Sequence, residues 1–437
     1  MKPHTATLSE GVRPIEVWSW AMYDFANSGY TTVVITAVFN AYFVAEVARN
    51  ASWATLAWTC ALAVSYVLIM VTAPVIGAYA DARAIKKKLL AITTAGCIAF
   101  TAVLALVRPG ELWLAVTLII LSNFFFGTGE NLIAAFLPEI ARGDGMGRVS
   151  GWGWSLGYIG GLASLACCLG YVSWAQSEGL SADHFVPMTM LITAALFGLA
   201  SLPTFLFLRE RARPLTPARN HFRQSLVRLQ ETFRDASRYA DLRRFLICLV
   251  FYQAGIQAVV ALAAIYAQQA MGFTTKETIT LILIVNVTAA FGAFVFGQVQ
   301  DRLGHVRTIV LTLLGWIVAI VLAWAAEGPL LFWAAANVVG LCLGASQSAG
   351  RALVGFLSPP SRSAEFFGLW GLSVKFSAVL GPVTYGAVTW LSAGDHRLAI
   401  LLTGVYFILG IAILTGVDVK RGRAQALQVQ KTPAAPR

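Results

Sequence analysis

Gly77-Ala78-Tyr79-Ala80-Asp81-Ala82-Arg83 closes one long apolar run and opens a basic loop, and 220 residues later Gly297-Gln298-Val299-Gln300-Asp301-Arg302-Leu303 does the same. Phe136-Leu137 recurs at that offset as Phe356-Leu357, again near the end of an apolar run. With three residues taken out of the following loop, Gly151 in Ser150-Gly151-Trp152-Gly153 falls on Gly368 in Phe367-Gly368-Leu369-Trp370-Gly371. Two half-proteins are fused. Duplicated bundles of membrane helices are the usual architecture of secondary transporters, which hold substrate between the halves near the midplane.

Composition fixes the environment. Hydrophobic residues make up 58% of the chain and charged residues 12%, against roughly half and a quarter in a soluble domain. A helix needs about 20 apolar residues to cross a core ~30 Å thick. Twelve charge-poor stretches of that size occur, at 18–47, 52–80, 89–108, 112–140, 150–172, 187–208, 243–269, 277–300, 308–326, 329–357, 364–391 and 396–417. The expected fold is all-α and membrane-embedded, with twelve transmembrane helices in two pseudo-symmetric six-helix bundles, 18–208 and 243–417.

The net charge of +11 reports topology rather than a nucleic-acid partner. With residue 1 on the cytoplasmic side, 27 of the 32 Lys and Arg residues fall in inner segments. Only Arg49, Arg108, Lys276 and Arg397 fall in outer loops, and Lys375 lies within a span. By the positive-inside rule both termini face the cytoplasm. The first 17 residues form a cytoplasmic segment, and the first apolar run is too long for a signal-peptide core. The linker 209–242 carries apolar residues at helical spacing from Phe222 to Ala240 with arginines on the other face, predicting a basic amphipathic helix against anionic lipid. The tail, 418–437, reads as disordered. Six cysteines, all within spans, fit no disulfide or zinc spacing.

No Gly-Lys pair exists, so a phosphate-binding loop of the G-x-x-x-x-G-K type is ruled out and the energy source is expected to be an ion gradient. No catalytic motif, cofactor or metal site is expected. Gly153-Trp154-Ser155-Leu156-Gly157 matches a hydrolase elbow, but inside a membrane helix Gly153, Gly157 and Gly161 are better read as a small-residue stripe for close helix packing.

Ionisable groups inside spans are costly and mark function by default. Asp24 flanks a stripe of Trp20, Tyr23, Asn27 and Thr31, with Tyr30 beside it. Glu130 lies ten residues from the end of span four, ~15 Å deep, and shares its face with Asn123. Lys375 is ~16 Å into span eleven. Asn337, Gly340, Gly344, Gln347 and Arg351 form one stripe of span ten, Tyr252, Gln253 and Gln257 add polarity in span seven, and Asn286 does so in span eight. The plainer reading of each is an interhelical lock, and for Arg351 a role near the headgroups is expected. Trp154 and Tyr158 are candidate aromatic walls. The expected substrate-binding set is therefore Tyr23, Asp24, Asn27, Tyr30, Asn123, Glu130, Tyr158, Tyr252, Gln257, Asn337, Gln347 and Lys375.

The repeated loops resemble the signature of the major facilitator superfamily, in which the Asp can cap a neighbouring helix start and nearby basic residues pair with a carboxylate. Asp81, Arg83, Asp301 and Arg302 are the expected gating residues, with Glu139 and Glu365 as partners. Ala82 and Ala84 depart from the usual Arg and Gly.

Trp20-Ala-Met-Tyr-Asp-Phe-Ala-Asn-Ser-Gly-Tyr30, Ala135-Phe-Leu-Pro-Glu-Ile140 and the run Arg148 to Gly161 resemble the autophagy-related vacuolar amino-acid effluxer family. Gln347-Ser-Ala-Gly-Arg351, Ala364 to Gly368, Lys375-Phe376 and Gly381-Pro382 are similar to that family's second half. The resemblance implies a twelve-helix major facilitator fold and export of amino acids or similar small solutes, and the carboxylates within the spans make protons the expected coupling ion. A bacterial inner membrane is the expected location. Exporters of drugs, sugars or lipids, and a receptor or scaffold signalling through the basic helix, remain alternatives.

Overall fold

The computed structural model describes residues 7–49, 51–212, 214 and 239–431. Twelve helices long and apolar enough to span a membrane are present among them. The first half comprises α1 (Pro14–Val47), α2 (Ala54–Arg83), α3 (Lys86–Leu106), α4 (Leu112–Ile140), α5 (Met146–Ser177) and α6 (Ala182–Phe207). The second comprises α7 (Ala240–Gln269), α8 (Thr275–Leu303), α9 (His305–Ala325), α10 (Pro329–Leu357), α11 (Ser363–Leu391) and α12 (His396–Leu414). Helices outrun the apolar stretches at the basic loops, because Lys86 and Arg148 continue the helical backbone where hydropathy has already fallen.

Polar and aromatic contacts tie the helices of each half together within one apolar cluster that runs through both. Trp20 Nε1 donates to the Ile133 carbonyl at 2.8 Å, the hydroxyls of Tyr23 and Thr94 meet at 2.8 Å, and those of Tyr30 and Ser122 at 2.8 Å. Trp316 stacks on Phe407 in the second half. These bonds satisfy polar groups that lipid cannot, which is the condition for placing them in a membrane. α1 changes to π-helical winding over Thr31–Ala37 and Phe43–Val47, a form concentrated at functional sites.

The repeat shows in the seams. α2 lies against α11 and α5 against α8, and at both crossings only glycine fits. A Cβ on Gly77 would strike the Ala364 carbonyl, and one on Gly151 would strike that of Ala293 beside Gly297. Small residues permit this backbone approach. α2 ends on Ala84 in the left-handed region (φ 53°), where the second copy has Gly304 (φ 90°). Gly304 has ψ 159° against 51° at Ala84, so the two turns differ, and the alanine holds a left-handed conformation costing about 1–2 kcal/mol.

The tail is a correction. Val419–Lys431 is a helix, α13, docked beneath the second half rather than disordered, while 432–437 lies outside the described residues. Arg421 grips Asp241 through Nε at 2.8 Å and Nη2 at 2.6 Å, and Arg423 donates to the Phe356 carbonyl at 2.8 Å. Composition suggested disorder because these anchors come from distant residues. Most of the predicted helix at 220–242 falls outside the described residues. The face carrying α13 and the α2–α3 and α8–α9 loops is called the basic face below.

Candidate functional site: two capped helix starts beneath two ion pairs

At the basic face the two repeated aspartates cross between the halves. Asp81 Oδ2 accepts from the Glu365 amide at 2.9 Å, at the start of α11. Asp301 accepts from the amides of Gly147 (3.0 Å) and Arg148 (3.2 Å), at the start of α5. A helix start presents unpaired N–H groups and the positive end of the dipole, so a carboxylate is favoured there. Lys86 is buried between Asp81 (3.8 Å), Glu139 and Ser363 Oγ (3.0 Å). Arg362 binds Glu365 at 2.6 and 2.8 Å.

Two expected gating residues stand apart from this network. Arg83 folds back on the Tyr79 hydroxyl at 3.0 Å, and Arg302 is exposed. Lys86, one loop later than Arg83, supplies the buried cation instead. Asp81→Asn and Asp301→Asn are expected to shift the equilibrium between closed and open forms without altering ligand affinity in a fixed form. A cap charge contributes up to ~2 kcal/mol, about thirtyfold in population. Amide exchange of the α5 and α11 starts should rise; a large loss of affinity in a conformationally locked protein would contradict the assignment.

Above these two capped helix starts lie two ion pairs between the halves. Asp24 Oδ2 meets Arg351 Nη1 at 2.7 Å. The same guanidinium donates from Nε to Ser150 Oγ (3.1 Å) and from Nη2 to the Ser150 carbonyl (2.9 Å), and it lies between the rings of Trp20 (4.7 Å) and Trp154 (5.4 Å). Arg351 is 3% exposed. Its headgroup role is therefore a correction: it closes the two halves on each other.

Deeper, Glu130 Oε2 meets Lys375 Nζ at 3.2 Å, with Lys375 12 residues into α11, ~18 Å along the helix. The ammonium faces Tyr66 at 5.5 Å and Phe126 at 5.8 Å, and Phe126 stacks under Tyr30. Glu130 keeps 23% of its side chain exposed. Both acids belong to the first half and both bases to the second.

The remaining expected residues divide. Tyr158 is half-buried and leans on Trp154 (ring centroids 5.9 Å), beside the Arg351 pair. Gln347 bonds Gln253 at 2.7 Å, and half-buried Gln257 lies one turn along α7. Asn27 is buried with its Oδ1 unpartnered. Five have their polar groups turned into or spent within one half. Tyr23 packs against Phe197 and Phe205, Tyr30 bonds Ser122, and Asn123 donates to Ser65. Asn337 bonds its own helix at Trp333, and Tyr252 buries its hydroxyl against Gly350. Asn286 likewise bonds Ile282.

Tyr66, Phe126, Ser150 and Asn131 escaped the sequence reading. Asn131 is 4% exposed, packs on Gly371 of α11, and has neither amide atom hydrogen-bonded. Its place next to Glu130 was the available signal.

Twelve helices in two six-helix halves form the major facilitator fold. The human organic anion transporter MFSD10 superposes with TM-score 0.71 at 15% identity, covering 92% of this chain and 100% of that one. The Escherichia coli fucose:proton symporter FucP gives 0.71 at 14%, covering 93% and 98%. Residues 54–427 match the family model described as vacuole effluxer Atg22 like, and the chain belongs to that family. The MFS-type transporter YxiO of Bacillus subtilis is 28% identical over 91% of this chain and 94% of its own length. Autophagy-related protein 22-1 of Aspergillus fumigatus is 25% identical over 64% of this chain. The chain spans about half the length of that fungal relative, 49%.

Proposed function

We propose that this transporter moves small zwitterions such as amino acids, outward across a bacterial cytoplasmic membrane and in exchange for protons, by alternating access. The basic face is the cytoplasmic one, by the bias of Lys and Arg. The observation that carries the reading is the Glu130–Lys375 pair, a carboxylate and an ammonium from opposite halves at mid-depth, complementary to the two ends of an amino acid. A substrate carboxylate can take Lys375 while its ammonium takes Glu130, replacing one bridge between halves by another. Protonation of Glu130 offers a second way to part the pair, which is how a proton gradient enters. With the gates and the Asp24–Arg351 pair engaged, the basic side is closed, so the site is read as open to the opposite side.

Membership of a family described as vacuole effluxers supports efflux. A thermal-shift screen of the purified chain against amino acids, peptides, sugars and lipophilic drugs tests the substrate class. The expected result is stabilisation by one or more amino acids. At 100 times its dissociation constant a ligand stabilises by ~2.7 kcal/mol. Stabilisation by sugars or drugs alone would overturn the assignment.

A further inference from the structure

Beside the second gate a groove of about 580 Å³ opens between α1, α5 and α8, within the ~300–1,000 Å³ of small-molecule sites. Trp18, Trp152, Leu156, Ile159 and Phe294 form its apolar walls, and Thr7 and Leu8 close its end at the basic face. Trp18 is 49% exposed, Ile159 47% and Phe294 43%, so the groove faces outward from the seam rather than into the cavity between the halves. Along α5 the lining runs from Trp152 to Ile159, seven residues or ~10 Å of helix. One leaflet contributes about 15 Å of a ~30 Å hydrocarbon core. The groove thus fits within one leaflet, alongside part of an acyl chain.

Its end carries positive charge. Arg148 reaches Thr7 Oγ1 through Nη1 at 3.2 Å, and Thr7 is fixed by its carbonyl accepting from the Arg142 amide at 3.0 Å. Arg148 Nε lies 3.7 Å from Asp301 and has no hydrogen-bond partner, although it is buried. Arg13, beside Pro14 of the groove, is 57% exposed and only 3.8 Å from Glu16.

We propose that this groove binds one anionic phospholipid of the adjoining leaflet, with its phosphate on Arg148 and one acyl chain along the wall of α5 and α8. A guanidinium whose Nε makes a 3.7 Å ion pair with Asp301 but no hydrogen bond keeps donor capacity for a phosphate ester on a hydrocarbon chain in the apolar slot. Arg148 also faces Asp301, so the headgroup competes with the gate. A bound anionic lipid draws the guanidinium away and leaves Asp301 with the two backbone amides alone. The second gate then opens more readily. The inference needs only membrane insertion, and stands whatever solute is moved.

The test is native mass spectrometry of the full chain released from phosphatidylcholine nanodiscs containing phosphatidylglycerol, with amide exchange on the same samples. The wild type should retain one phosphatidylglycerol about tenfold over phosphatidylcholine. Ser155→Trp, which fills the groove, and Arg148→Gln, which removes the headgroup contact, should each lower retention about tenfold. Phosphatidylglycerol should raise exchange at Gly147 and Arg148 severalfold in the wild type and not in Ser155→Trp. Equal retention of both lipids, or retention unchanged in both variants, overturns the site. Selective retention with no exchange response overturns its link to the gate.

Discussion

Replacing Arg351 with methionine is expected to open the basic side and lower the stability of the closed form by about 3–5 kcal/mol, the cost of stranding one partner of a buried pair. The stranded group is Asp24, which loses its 2.7 Å partner, while Ser150 loses two donors. Because the pair joins the halves, the cost falls on the closed form and leaves the separated halves largely unaffected. Two to four orders of magnitude in the closed-to-open ratio follow. Amide exchange of the α5 and α11 starts should rise steeply, and the melting temperature should fall. Asp24→Asn combined with Arg351→Met should recover much of the loss, since a neutral pair leaves no unpaired buried charge. A single variant that melts and exchanges like the wild type would show that the pair does not hold the halves.

The second large effect is expected at Lys375. Lys375→Met should abolish transport in a protein that still folds and inserts, because a thioether cannot hold a substrate carboxylate. Removing the cation takes away the 3.2 Å partner of Glu130, whose side chain keeps 23% exposure and so stays within reach of water. Lys375→Met with Glu130→Gln separates lock from ligand. If the pair were only a lock, neutralising both ends would restore movement of the halves and transport with it. The double variant is expected to regain stability and to remain inactive.

Much of this was legible in the chain. Twelve spans follow from apolar length, and the crossed aspartates follow from the repeat, since a carboxylate placed identically in two halves points to one job done twice. Glu130 and Lys375 were legible because a charge at mid-span has few reasons to be there. The Asp24–Arg351 pair was not, because 327 residues separate its members and depth along α10 alone put Arg351 near the headgroups. The stripe of Trp20, Tyr23 and Asn27 misled for a related reason: periodicity says which residues share a face, not which neighbour that face meets. Tyr23 turns into the first half, whereas Asp24, one position round the helix, reaches across to Arg351, whose guanidinium also lies against the Trp20 ring. Tyr66 and Phe126 carried no signal, being aromatics in apolar runs until a cation lies beside them.

The most direct measurement is release of preloaded labelled amino acids from proteoliposomes when the exterior is acidified, with wild type beside Lys375→Met and the double variant. The account predicts that acidification accelerates release of at least one amino acid by the wild type, and of none by either variant. Release that ignores the pH step, or that returns in the double variant, would contradict it.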